Sequence, residues 1–212
     1  MSGFWRRWRG YVPGEGIGAI LLKPLGKAIK DKDRIYGVVK ASALNHGGKT
    51  NGYTVPNPNA QAGLIKETLE KAKIDPRTIS YIEAHGTGTS LGDPIEITGL
   101  NKAFQDYTQE KQYCAIGSVK SNIGHLESAA GIAGLTKVLL QFQHKQLVPS
   151  LHANVLNPHI DFENSPFYVQ QEVQEWKQPV IIEEGEERTC PRRASISSFG
   201  AGGECSPYCG RI

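Results

Sequence analysis

Two histidines of this 212-residue sequence each follow a predicted buried strand and lie in a turn rich in glycine and hydroxyl side chains. His85 opens the turn 85–89, and His125 closes the turn 120–125, which begins with Lys120. Histidines in such turns can donate hydrogen bonds to a developing enolate oxygen, lysine supplies positive charge, and glycines let backbone amides approach. We expect the two turns to share one pocket, where repulsion from Lys120 keeps both rings neutral. This combination favours the stabilisation of an anionic or carbonyl intermediate.

The elements that position these turns alternate between strands and helices, and α/β proteins place ligands where a strand, a glycine-rich turn and a helix follow one another. Hydrophobic periodicity predicts both kinds of element. The predicted strands are residues 16–22, 34–44, 79–83, 113–119, 167–170 and 193–198, and the predicted helices are residues 59–73, 93–104 and a long one ending near 143. The sequence therefore predicts an α/β domain with a mixed sheet.

Composition excludes several classes of protein. With 39% hydrophobic residues and a net charge of +3, the chain is neither disordered nor fibrous, and nothing favours nucleic acid or an anionic membrane as a partner. Its apolar runs are too short for a membrane helix, which predicts a cytoplasmic protein. The four cysteines are unevenly placed and predict reduced thiols. Cys205 and Cys209 lack a second ligand pair, so we expect no metal site.

Residues 83–89 (EAHGTGT) and 117–125 (GSVKSNIGH) resemble the two histidine motifs of β-ketoacyl synthases. The resemblance extends through residues 14–16, 45–59 and 197–203. Residues 10–203 are similar to the C-terminal half of a ketosynthase domain from a modular bacterial type I polyketide synthase, and the asparagine-rich segment is similar to assembly lines whose acyltransferase is a separate protein. The resemblance implies half of a thiolase-like fold, with a mixed sheet flanked by helices.

The family reaction that the resemblance implies is decarboxylative Claisen condensation between an acyl thioester on the enzyme and a malonyl unit on an acyl carrier protein. His85 and His125 would promote decarboxylation and hold the oxygen of the enolate. Lys120 would orient the histidine pair and tune its charge. The implied partners are an acyl carrier protein and the N-terminal half of a ketosynthase or a dimer partner.

The resemblance also implies a binding site for the carrier protein's phosphopantetheine arm, which delivers the substrate; the chain itself is expected to bind no cofactor. Thr87 and Thr89 would hydrogen-bond the arm. Phe199 would gate the acyl pocket, and its amide, beside Gly200, would help to form the oxyanion hole.

The sequence departs from the family in its nucleophile and at both ends. The family's cysteine nucleophile precedes the first histidine motif, but no cysteine precedes His85. We therefore expect a fragment that is inactive alone, with a non-catalytic module that binds a carrier protein or a ketosynthase half as the alternative. Residues 1–9 are predicted as a non-family tail. Residues 204–212 are predicted as a frameshifted tail, because their codons can be chosen so that a shifted frame encodes a family-like continuation.

Overall fold

The computed structural model describes residues 12–48, 56–200 and 203–210, with side chains up to residue 198. Its helices are α1 (Leu25–Lys30), α2 (Pro58–Ala72), α3 (Gly92–Phe104), α4 (Lys120–Ile123) and α5 (Ala130–His144). Its strands are β1 (Val38–Asn45), β2 (Tyr81–Glu83), β3 (Cys114–Gly117), β4 (Gln146–Leu147), β5 (Phe167–Val169), β6 (Gln174–Glu175), β7 (Val180–Glu183), β8 (Glu186–Thr189), β9 (Arg193–Ile196), β10 (Ser198–Gly200) and β11 (Gly203–Gly210). None of the helices in these ranges is long and apolar enough to span a bilayer.

The main sheet is mixed and has the strand order β1-β11-β9-β2-β3-β5, with β10 paired to β11. Strands β9, β2, β3 and β5 run parallel, whereas β11 is antiparallel to β1, β9 and β10. The predicted mixed sheet is confirmed. The hairpin β7-β8 and the pair β4-β6 form separate two-stranded sheets.

Both faces of the sheet are buried against helices. Successive side chains of a strand point to opposite faces, so Ile82 packs with Leu69 of α2 and Phe104 of α3, while Tyr81 packs with Phe142 of α5 and Trp176. The result is a three-layer domain in which the helices flank the sheet, as predicted.

The predicted strand at residues 16–22 is wrong. This segment has no regular structure, and the side chains of Ile17 and Leu21 are 100% and 94% exposed. An apolar run forms a strand only where another strand can pair with it, and no strand in the described part of the chain lies beside this one. The other predicted strands and helices form, with ends moved by a few residues.

The two predicted tails differ in what the structure describes. Residues 1–9 lie outside the described residues. Residues 204–210 belong to β11, where Glu204 is in register with Asn45 of β1, and residues 211–212 lie outside the described residues. The division of the chain into one domain and two tails stays a prediction, and so does the frameshift in residues 204–212.

Two glycines provide a matched test of the backbone that carries the second histidine turn. Gly124 has a φ of 87° and a ψ of 175°, which only glycine adopts readily, and an added Cβ would lie 3.2 Å from Gly14 N. We expect Gly124→Ala to lower the free energy of unfolding by about 1–3 kcal/mol. Gly63 lies in α2 with open space around it, so Gly63→Ala should raise that free energy by about 0.5–1 kcal/mol. Urea unfolding measures both, and equal effects would contradict the assigned conformation.

Candidate active site

The turn after β2 is held by two acids of the helix that follows it. Glu96 accepts hydrogen bonds from His85 N at 2.8 Å and from Gly86 N at 2.9 Å, and Asp93 accepts one from Gly88 N at 3.1 Å. Sequence reasoning missed both acids. Their spacing, three residues apart at the start of a helix that follows a glycine-rich turn, is the signal that could have found them.

The turn after β3 fixes the ring of His125. Its Nδ1 accepts a hydrogen bond from Glu127 N at 2.9 Å, so the proton of the neutral ring lies on Nε2. The backbone is held as well, because His125 N donates to Val12 O and Gly14 N donates to His125 O, both at 2.9 Å. His125 therefore presents an Nε2–H donor.

The two turns converge because they leave neighbouring strands at the same edge of the sheet. Strands β2 and β3 are parallel, with Glu83 in register with Gly117. The ring centroids of His85 and His125 lie 5.2 Å apart at an interplanar angle of 81°. The predicted convergence of the histidine pair is confirmed.

Burial and one lysine lower the pKa values of both rings. Burial lowers the pKa of His85 well below its usual value, and Lys120 and then His125 lower it further. Burial also lowers the pKa of His125, again with Lys120 as the next cause. Repulsion from Lys120, the expected cause, is thus second to desolvation. Lys120 itself is 3% exposed, and burial lowers its pKa while Glu83 and Glu96 oppose that shift.

The residues predicted to bind the pantetheine arm lie in two places. Thr87 and Thr89 are half-buried in the first turn, with their Oγ atoms 3.5 Å apart. Thr89 Oγ1 also accepts a hydrogen bond from Gly92 N at 3.0 Å, so it ties the turn to the first residue of α3. Phe199 and Gly200 lie in β10, paired with β11, and their side-chain surroundings lie outside the described part.

The cysteines whose side chains are described are structural. Cys114 and Cys190 are both fully buried, and burial raises the pKa of the Cys114 thiol well above its usual value. Among the described residues, His, Cys, Asp and Glu side chains form no cluster of three that could hold a metal ion.

An apolar groove of about 480 Å³ runs along α5, and neither histidine of the pair lines it. Its walls include Ile17, Leu126, Ile132 and Leu140, and Lys137 reaches it from within α5. The groove and the exposed segment around Ile17 form one apolar surface.

Comparison with known proteins shows the family to which this fold and this site belong. Residues 36–154, which include both histidines, match the family described as "Beta-ketoacyl synthase, C-terminal domain". The chain belongs to the β-ketoacyl synthase family. Among curated relatives, polyketide synthase PksL of Bacillus subtilis is 71% identical over 194 residues, and polyketide synthase ThaG of Burkholderia thailandensis is 60% identical over 195 residues.

Solved ketosynthases share the fold. The oxazolomycin ketosynthase domain OzmH KS7 of Streptomyces albus JA3453 superimposes with a TM-score of 0.93 at 51% identity, covering 99% of this chain. The ketosynthase from module 1 of the bacillaene synthase of Bacillus amyloliquefaciens superimposes with a TM-score of 0.91 at 39% identity over the whole chain. This ketosynthase segment spans 36% of each of these two chains, and its matched part, 92% of its length, spans 4% of PksL and 3% of ThaG. The expected thiolase-like fold is confirmed.

Glu96 gives this ketosynthase segment a pH-dependent stability. Burial raises the pKa of its carboxyl group from 4.5 to about 7, against the two backbone hydrogen bonds that lower it. Because the folded chain binds this proton more tightly than the unfolded chain, the stabilisation is complete below pH 4.5 and is lost as the pH rises through 7.

We therefore expect the free energy of unfolding, taken relative to Glu96→Gln, to fall by on the order of 3 kcal/mol between pH 4.5 and pH 8. Urea unfolding at several pH values measures it. The matched control is Glu172→Gln, at an exposed carboxylate, which should show no such trend. A pH-independent difference for Glu96→Gln would contradict the raised pKa.

Proposed function

We propose that this chain supplies the histidine and lysine half of a ketosynthase active site, for decarboxylative condensation in polyketide synthesis in the cytoplasm. The observation that carries the proposal is the pair of imidazole rings, with centroids 5.2 Å apart, at the ends of two parallel strands. Neutral imidazoles can each donate one hydrogen bond, and two such donors side by side suit an oxygen that gains negative charge.

The chemistry that this geometry supports begins with a malonyl thioester on the phosphopantetheine arm of an acyl carrier protein. The bond between the α-carbon and the carboxylate breaks, carbon dioxide leaves, and the electron pair becomes the enolate of the thioester. The Nε2–H of His125 and a ring N–H of His85 donate to the enolate oxygen. The enolate carbon then attacks the acyl thioester carbonyl, the new carbon–carbon bond forms, and the thiolate leaves with the electrons of the carbon–sulfur bond.

Lys120 sets the charge of this site without touching the substrate. A cation beside the rings disfavours imidazolium, so the histidines stay donors of a single proton and do not repel Lys120. Thr87 and Thr89 would bind the arm, and the amide of Phe199 with Gly200 would complete the oxyanion hole of the acyl thioester.

The acyl thioester needs a nucleophilic thiol, which we assign to polypeptide outside these 212 residues. No cysteine precedes His85, and Cys114 and Cys190 are buried. The chain alone would then form no acyl-enzyme. A ketosynthase N-terminal half, or a dimer partner, would bring the thiol and cover the apolar surface along α5.

A chimera tests the proposal. Residues 12–200 replace the matching segment of the oxazolomycin ketosynthase domain, and release of carbon dioxide from malonyl-carrier protein is measured. We expect His85→Ala and His125→Ala each to slow decarboxylation by about 10²–10⁴-fold. The matched control is His159→Ala, at an exposed histidine, which should leave the rate within about twofold.

Two outcomes would count against the proposal. Decarboxylation that survives both histidine changes would exclude them as its donors. A folded chimera that binds malonyl-carrier protein without releasing carbon dioxide would favour the non-catalytic binding module.

A further inference from the structure

A buried carboxylate on β2 reaches the second histidine turn directly. Glu83 is 2% exposed, and its Oε1 accepts a hydrogen bond from Val119 N at 2.6 Å. Val119 immediately precedes Lys120, the first residue of α4, so this bond ties the strand before His85 to the start of the turn that ends at His125. A carboxylate oxygen accepting from a backbone amide is among the stronger hydrogen bonds in proteins.

The second oxygen of the same carboxylate accepts one hydrogen bond and forms an ion pair. Tyr81 Oη donates to Glu83 Oε2 at 2.7 Å, and Lys137 Nζ lies 2.9 Å from that atom. Lys137 comes from α5, is 8% exposed, and lies 5.4 Å from the centre of the Tyr81 ring. Two hydrogen-bond donors and one ammonium group thus share one carboxylate.

Glycine at two positions leaves space for the cluster of Glu83, Tyr81 and Lys137. A Cβ on Gly134 of α5 would lie 3.1 Å from Glu83 Cγ. A Cβ on Gly117 would lie 3.0 Å from Tyr81 Oη and 3.5 Å from Lys137 Nζ. The contacts with Glu83 and Tyr81 are tight for a side chain, so glycine at each position lets α5 and β3 approach the carboxylate closely.

If stability were its only role, the buried ion pair of Glu83 and Lys137 would be a costly arrangement. Removing two charges from water carries a desolvation penalty that apolar side chains of similar volume avoid. What an ionised carboxylate offers here is acceptor capacity on both oxygens, whereas a neutral amide has one acceptor oxygen and adds two donors. The Lys137 ammonium group lies on the Oε2 side of the carboxylate, which leaves Oε1 to accept from Val119 N.

We propose that Glu83 and Lys137 are positioning residues for the condensation site, with the Glu83 carboxylate holding the 119–125 turn in place and Lys137 holding that carboxylate. The inference rests on the proposed function for its catalytic meaning. Neither side chain touches the substrate in this scheme, and both act through Val119 and α4.

The charges around Lys120 support the same assignment. Burial lowers the pKa of Lys120, Glu83 opposes that shift more than any other acid, followed by Glu96, and Lys137 adds to the shift. Asp93 opposes it more weakly. The pair therefore influences the cation beside the histidines as well as the backbone that carries it.

The test uses amide hydrogen exchange and ¹⁵N NMR of the full 212-residue chain. In Glu83→Gln the single amide oxygen cannot serve both Val119 N and Lys137. We expect Val119 N–H to exchange at least about tenfold faster, and the His125 ring to lose its single Nε2–H tautomer. The amide of Ser197, which donates to the backbone oxygen of Glu83, should keep its rate and is the internal control.

The double variant Glu83→Gln/Lys137→Met separates positioning from bulk stability. Removing the lysine frees the amide oxygen of the substituted side chain for Val119, so protection of the Val119 amide should return to within about threefold of the parent. Lys137→Met alone leaves the Glu83 carboxylate buried without its counter-charge and should unfold more readily. Lys66→Met, which removes an exposed ion pair with Asp106, is the matched control and should change neither readout.

Each result bears on the inference. Unchanged Val119 exchange and an unchanged His125 tautomer in Glu83→Gln would overturn it, whatever the decarboxylation assay gives. If Glu83→Gln does not fold, the double variant decides. Protection of the Val119 amide close to that of the parent supports the inference, and loss of that protection overturns it. Because neither readout needs turnover, a chimera without decarboxylation would defeat the proposed function and leave this test standing.

Discussion

The buried ammonium group of Lys120 has to find negative charge inside the protein, because water is largely excluded from it. Glu83 supplies that charge from β2, and Glu96 of α3 adds to it when it ionises, around its pKa of about 7. The same two carboxylates accept the backbone amides of Val119, His85 and Gly86. The groups that balance the lysine are therefore also the groups that shape both histidine turns.

Because the same carboxylates balance the charge of Lys120 and hold both turns, the geometry of the site is coupled to its electrostatics. If a turn moved, an amide would lose its acceptor and a carboxylate would lose part of its hydrogen bonding, so the charge balance at Lys120 would change with it. The parallel pairing of β2 and β3 sets the distance between the turns, and the acids set their conformation. A site of this kind is held ready before any substrate enters, which is what stabilisation of a developing oxyanion requires.

Much of this could be predicted from the sequence, where the signal is local. Strand, glycine-rich turn and helix follow one another in the chain, so the positions of His85 and His125 at adjacent strand ends could be predicted from their motifs. The pairing of β11 with β1 could not be predicted, because it joins segments far apart in the sequence. Residues 16–22 have the composition of a strand, but no strand in the described part of the chain lies beside them.

The acids and Lys137 were missed for a related reason. A glutamate at the end of β2 or one turn into α3 reads as an ordinary polar residue until the fold shows it buried. Lys137 lies on the same face of α5 as Gly134, Val138 and Phe142, but a lysine in an apolar stripe does not show which group it will meet. Its pairing with Glu83 depends on how α5 packs on the sheet, which periodicity does not fix.

The measurement that tests the central claim most directly is a ¹⁵N NMR titration of the two histidine rings in the parent chain and in Lys120→Met. The claim is that burial and Lys120 hold both rings neutral. It predicts that His85 and His125 each titrate below the usual histidine pKa, and that both pKa values rise when the lysine charge is removed. Either ring protonated at pH 7 in the parent, or two pKa values that do not respond to Lys120→Met, would contradict it.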